Sequence, residues 1–304
     1  MESLLQIFDT IVASFLTAIR TGNAALAFYG IAVLGVVFVI SYAREFGPRL
    51  ATGIGSLSES LGTPLLFFVM AGGYLYVLTH LIPLTTAALN TAITWGATMS
   101  GGTISPEAAQ KPSVIMKIGL DVAKPIASFE TTWEAIKSTV GLAMRPDLLL
   151  VFWMILLAFL ATTITFGMTI IEFTLSVSLS YVLLPWGIWH SAASLGEFAV
   201  GWVLGGLVRV LVSCAVVGIA IPLFPTLWPA DDGFLQIFSI LTRLGGTLFF
   251  ASLAIFVPIK AANWASRAGL ALTGSTVMAG AMTFTRFGMM FSGASRGFSQ
   301  LVGR

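Results

Sequence analysis

Long apolar runs separated by short polar breaks dominate this chain, and the runs predict its elements. Residues 24 to 43 hold no charge over twenty positions, enough for one bilayer crossing. Leu65 to Ile82 forms a second run, followed by Pro83 and weaker apolar character as far as Met99. Leu148 to Trp189 is a run of 42 residues in which Glu172 is the only charge. A continuous helix of that length would measure about 63 Å, roughly twice the hydrocarbon thickness. Such a run either continues past the membrane as one long broken helix or folds back as two spans. Ala199 to Phe224 and Phe234 to Pro258 complete the set and carry Arg209 and Arg243.

Two shorter patterns are amphipathic. In residues 3 to 19, Leu4, Phe8, Ile11, Val12, Phe15 and Ile19 fall on one helical face, with Gln6, Asp9, Thr10 and Thr17 elsewhere. This predicts an interfacial helix. Glu2 and Asp9 stand where a signal peptide would carry positive charge, so the segment reads as structure rather than as a leader. Between Pro112 and Pro125, Val114, Ile115, Ile118 and Val122 lie on one side of a short helix.

Composition fixes the solvent. Hydrophobic residues make up 57% of the 304 positions and charged residues 9%, against roughly 25% in a soluble domain. The mean hydropathy is +0.96. A soluble globule and a disordered chain are both excluded, and the fold class is an all-α integral membrane protein. Charge placement then sets the topology. Lys260, Arg267, Arg286, Arg296 and Arg304 follow Pro258 with no acid among them, which puts that end in the cytoplasm. Asp231 and Asp232 occupy a turn without a base, and Arg44 and Arg49 mark an inner loop. These agree only if Leu148 to Trp189 crosses once, giving five spans with the N-terminus outside. The tryptophans sort the same way: Trp95, Trp153 and Trp228 at one interface, Trp186, Trp189, Trp202 and Trp264 at the other.

The expected organisation is therefore an amphipathic periplasmic helix over 1–23, two transmembrane helices over 24–99, and a periplasmic loop with a helix over 100–147. The remaining transmembrane helices occupy 148–259, and a basic cytoplasmic tail follows over 260–304. From Ala265 to Arg304 the tail is rich in Gly, Ala, Ser, Thr, Met and Phe, with too little apolar bulk to fold alone, so a neighbouring copy or partner is expected to support it.

Chemistry-bearing motifs are sparse. No nucleotide-binding glycine loop, zinc-protease helix or nucleophile elbow occurs. Cys214 is the single cysteine and His80 and His190 are the only histidines, so no catalytic residue, metal site or cofactor is assigned. His190 and Glu197 share a helical face but lack a third ligand. Glu172, Arg209 and Arg243 stand out, because a charge within a span is expensive unless paired or wet. Glu172 reads either as a lumen-facing carboxylate or as a partner for Arg209 or Arg243; each arginine could also snorkel toward an interface. Gly201 and Gly205 form a Gly-x-x-x-Gly pattern that permits close helix approach.

The stretch from Leu183 to Trp202, LLPWGIWHSAASLGEFAVGW, resembles the signature region of the TrbL family, polytopic inner-membrane subunits of conjugative, VirB-type type IV secretion systems. In that family a Leu-Pro-aromatic-Gly turn precedes a glutamate, an alanine and a glycine; Pro185, Gly187, Glu197, Ala199 and Gly201 stand in those positions. Ser105-Pro106, the segment from Pro112 to Asp121, and Pro125 are similar to the family's central loop, and Val257-Pro-Ile-Lys-Ala-Ala to the start of its C-terminal region. The resemblance spans roughly Ala24 to Lys260. It implies a non-enzymatic channel and pilus-assembly platform in the bacterial inner membrane, forming a homo-pentameric ring. Implied partners are a minor pilin stalk, the major pilin, other inner-membrane subunits and separate ATPases. The cargo would be DNA with its relaxase, or protein, without sequence-specific nucleic-acid binding by this chain. Within 100–147, Ser113, Ile115, Lys117, Ile118 and Val122 are the candidate residues for docking the minor pilin, with lipid contact as the alternative for the apolar ones. A stand-alone solute channel or secondary transporter is the competing reading.

The five-span topology predicts that a single cysteine at Ser58, in a Cys214→Ser background, is labelled by impermeant maleimide only from the cytoplasmic side. Labelling from the outside would require six crossings.

Overall fold

The computed structural model describes residues 2–52, 57–99, 101, 111–124, 126, 146–189, 192–227 and 240–267. Every extended element among them is helical. We number the helices α1 (Glu2–Thr52), α2 (Leu57–Met99), α3 (112–124), α4 (Pro146–Leu183), α5 (Ala193–Leu227) and α6 (Ile240–Arg267). A 3-10 turn, Leu184–Ile188, follows α4. Five stretches are long and apolar enough to cross a membrane: Gln6–Pro48, Ala71–Met99, Leu150–Ile188, Ala193–Phe224 and Ile240–Arg267. The chain is thus an all-α, multi-pass membrane protein. The Asp231–Asp232 turn, His190, most of 100–147 and the tail beyond Arg267 lie outside the described residues.

The expected interfacial helix and first span are not separate. They join in α1, whose 51 residues measure about 77 Å at 1.5 Å per residue. Gly22 and Asn23 resemble a break in sequence, yet the helix runs through them, because Asn23 is buried and accepts a hydrogen bond of 2.5 Å from Ser178 Oγ of α4. Likewise α2 continues through Pro83 to Met99.

Two compact units divide the chain. One comprises Met1–Ile19, Thr85–Leu175 and Gly206–Asn263; the other comprises Arg20–Leu84, Ser176–Gly205 and Trp264–Arg304. In the second unit, α1 and α4 run parallel, since Asn23 meets Ser178 and Gly30 then meets Tyr181. A Cβ at Gly30 would collide with the Tyr181 carbonyl, so the two backbones approach closely there. Against α4 and its 3-10 extension, α2 runs antiparallel: Tyr74 lies on Gly187, and the Ile82 backbone meets Tyr181. In the first unit, α5 also runs antiparallel to α4, with Glu172 beside Arg209 and Phe159 edge-to-face with Phe224 at 5.4 Å. These directions are those of helices crossing in turn, and they match one crossing by the run from Leu148 to Trp189.

Small residues and aromatics make the first unit's core. Phe159, Phe224 and Phe250 form a triad joining α4, α5 and α6, with centroids 5.1–5.8 Å apart. Where α2 crosses α5, a Cβ on Gly96 would stand 2.7 Å from Cys214 Cβ, and one on Gly218 would strike the Gly96 carbonyl. Cys214-x-x-x-Gly218 is the small-residue face of this contact. The hydroxyls of Thr162, Thr163 and Thr169 on α4 donate to carbonyls four residues back at 2.7–2.9 Å, which satisfies them inside an apolar helix.

Gly218→Ala should therefore lower the thermal midpoint in detergent, by about 1–3 kcal/mol of overpacking. Gly35→Ala, at a position open on all sides, should be neutral or stabilising, because only helix propensity changes. Equal midpoints for the two variants would contradict this packing.

Candidate functional site

Three clusters use the chain's scarce polar groups. The first lies midway along α4 and α5, where Arg209 Nη1 donates to Glu172 Oε2 in an ion pair. Of the alternatives read from the sequence, Arg209 is thus the partner of Glu172, and Arg209 does not snorkel. Snorkelling would require the span to begin near Leu207, whereas α5 starts at Ala193 and places Arg209 at its centre. The Glu172 side chain is 48% exposed, among the exposed apolar residues Met168 and Leu175.

The second cluster holds α3 at both ends. Pro112 begins the helix, where its missing N–H is no loss. Ser113, one residue on, donates to Asp9 of α1 through both its backbone N–H, at 3.0 Å, and its hydroxyl, at 2.6 Å. The Asp9 carboxylate thus caps an orphan donor and sits at the positive end of the helix dipole. At the other end Arg243 of α6, fully buried, directs Nη1 to the Val122 carbonyl at 3.5 Å. A cation there complements the dipole's negative end. The buried stripe of α3 is Pro112, Ile115, Gly119, Val122 and Ala123, with Gly119 beneath the Phe159 ring. It is rotated from the predicted side, and Gly119 lets α3 approach Phe159 of α4 closely.

This placement divides the docking candidates. Ile115 and Val122 are buried within the chain, so neither faces a partner or lipid here. Ser113 is engaged by Asp9, and Ile118 is half-buried. Lys117 is exposed, as are Asp121 and Lys124.

The third cluster is the corner between α4 and α5. Pro185 ends the α-helix because it lacks an N–H and clashes with the preceding turn; the chain tightens into the 3-10 turn. Trp189 is extended, and its N–H donates to the Trp186 carbonyl at 3.1 Å. Gly187 and Gly196 touch backbone to backbone, since a Cβ at Gly196 would lie 2.6 Å from Gly187 Cα. The Tyr74 phenol of α2 lies directly against Gly187. Ala199 and Gly201 are buried on the first turns of α5. All five motif positions thus belong to one corner of the second unit.

Sequence reading did not find Asp9, Tyr74 or Gly196 as site residues. Asp9 had been placed on the polar side of an interfacial helix; it turns inward because α3 offers it unpaired donors. Nothing local marks Tyr74. Gly196 was visible only as part of the Leu183–Trp202 stretch. Among the described residues, no three His, Cys, Asp or Glu side chains gather as a metal would require. No protein-family model matches the chain, and no curated protein matches its sequence.

Removing one member of the ion pair leaves an uncompensated charge along a span. Arg209→Leu should destabilise the protein by about 2–3 kcal/mol. The double variant Glu172→Leu/Arg209→Leu should recover most of that loss, as read by thermal unfolding in one detergent. A strictly additive double variant would mean that the two charges do not interact.

Proposed function

We propose that this membrane protein is a non-enzymatic subunit of a type IV secretion system, acting in the bacterial inner membrane as part of the export channel and as a platform for pilus assembly. The N-terminus lies in the periplasm and the C-terminus in the cytoplasm. The observation that carries the reading beyond a lone membrane chain is the half-exposed Glu172, ion-paired with Arg209 midway along two spans. A charge within a span is costly unless paired or wet; Arg209 pairs one side of Glu172, and in this reading the exposed side meets an aqueous lumen or a second copy. Both accord with a ring of copies around an export path. The gathering of Pro185, Gly187, Glu197, Ala199 and Gly201 at one close-packed corner supports the resemblance that names the system. The outward charges of α3, Lys117, Asp121 and Lys124, provide the polar surface for a minor pilin, while Ile115 and Val122 hold the helix in place.

Cysteines at Lys117 and Lys124 should crosslink to the minor pilin in cells assembling pili, and a cysteine at Met168, beside Glu172, should crosslink copy to copy. Function as a monomer in vesicles, with selective solute uptake and neither crosslink, would replace this reading with that of a solitary transporter.

A further inference from the structure

The second unit carries an apolar groove that the proposed function does not use. Ala32, Val33, Val36, Val37 and Ile40 of α1 form its floor, and Trp186 and Trp189 form its wall. The indoles are stacked, with centroids 5.9 Å apart and planes 29° from parallel. The volume is about 330 Å³ and the lining is almost wholly apolar. A transmembrane helix is 10–12 Å across, so it would occupy that volume with less than about one turn. The groove thus holds a single chain rather than the body of a helix. An extended hydrocarbon chain, a few ångströms across, can lie along it.

One end of the groove carries charge. On α1 the positions Val33, Val37 and Ile40 recur at intervals of four and three, and the next position in that register is Arg44. Arg44 is exposed and lies one turn beyond Ile40, about 6 Å along the axis. Two tryptophans beside an apolar slot, with a guanidinium just past its end, match the layering of a phospholipid: chain, interfacial ester region, phosphate. A guanidinium binds phosphate oxygens through two parallel hydrogen bonds. We infer that this groove binds one acyl chain of an anionic phospholipid, whose headgroup phosphate is held by Arg44.

The test uses full-length protein in phosphatidylcholine vesicles containing a minor fraction of brominated lipid, read by tryptophan fluorescence. Because the chain has eight tryptophans, the groove signal is the difference between the native protein and the Trp186→Phe/Trp189→Phe variant. Brominated phosphatidylglycerol should quench that signal at a mole fraction about fivefold lower than brominated phosphatidylcholine, the worth of one arginine near a membrane phosphate. Arg44→Gln should bring the two lipids to the same mole fraction, and Val36→Phe, which fills the groove, should weaken quenching by both. Equal quenching by the two lipids in the native protein overturns the inference. So does a preference that survives Arg44→Gln, or the absence of quenching by either lipid, which would mean that protein covers the groove. Should a variant fail to fold, native mass spectrometry of the unaltered protein decides. Retention of phosphatidylglycerol over phosphatidylcholine after detergent exchange upholds the site, and equal or no retention removes it.

Discussion

Most of the helix contacts run through α4. The helix meets α1 through Asn23 and Gly30, α3 through Gly119, α5 through Arg209 and Phe224, and α6 through Phe250. Its 3-10 extension meets α2 through Tyr74. Lipid tails are as apolar as leucine, so burial of apolar surface alone does not draw these helices together. Close backbone approach and internally satisfied polar groups have to do so. This accounts for glycine or small residues at most of the contacts and for hydroxyls on α4 that bond within their own helix.

The scarcity of charge follows the same logic. Of the few ionisable groups in the spans, four are matched to an opposite charge or to the end of a helix. Glu172 and Arg209 neutralise one another, while Asp9 and Arg243 serve the two termini of α3. A helix of this length has orphan donors and acceptors over much of its backbone, and in an apolar setting they are as demanding as side-chain charges. Arg243, fully enclosed, illustrates the point: its position is dictated by a carbonyl 121 residues earlier.

The architecture was legible because lipid solvation writes itself into long apolar runs. The single crossing of Leu148 to Trp189 was legible from the signs of Arg44, Arg49, Asp231 and Asp232, and the directions of α1, α2 and α5 against α4 agree with it. The continuity of α1 was not legible, since Gly22 and Asn23 look like a boundary until Ser178 of α4 is placed beside them. The choice of Arg209 over Arg243 as partner for Glu172 depended on which helices pack together. Asp9 and Tyr74 were hidden for a related reason. Their roles belong to donors and glycines far away in sequence, so no local window contains both halves of the interaction.

The two-ended hold on α3 also imposes an order on the protein's synthesis. Asp9 has been made long before Ser113 emerges, so the first clamp can close as soon as α3 forms. The second cannot: at roughly 5–20 residues per second, Arg243 follows Val122 by about 6–24 seconds, with two spans still to be inserted between them. Throughout that interval the Val122 carbonyl at the end of α3 awaits its cation from α6. Arg243 of α6 therefore acts as a latch on a segment made much earlier.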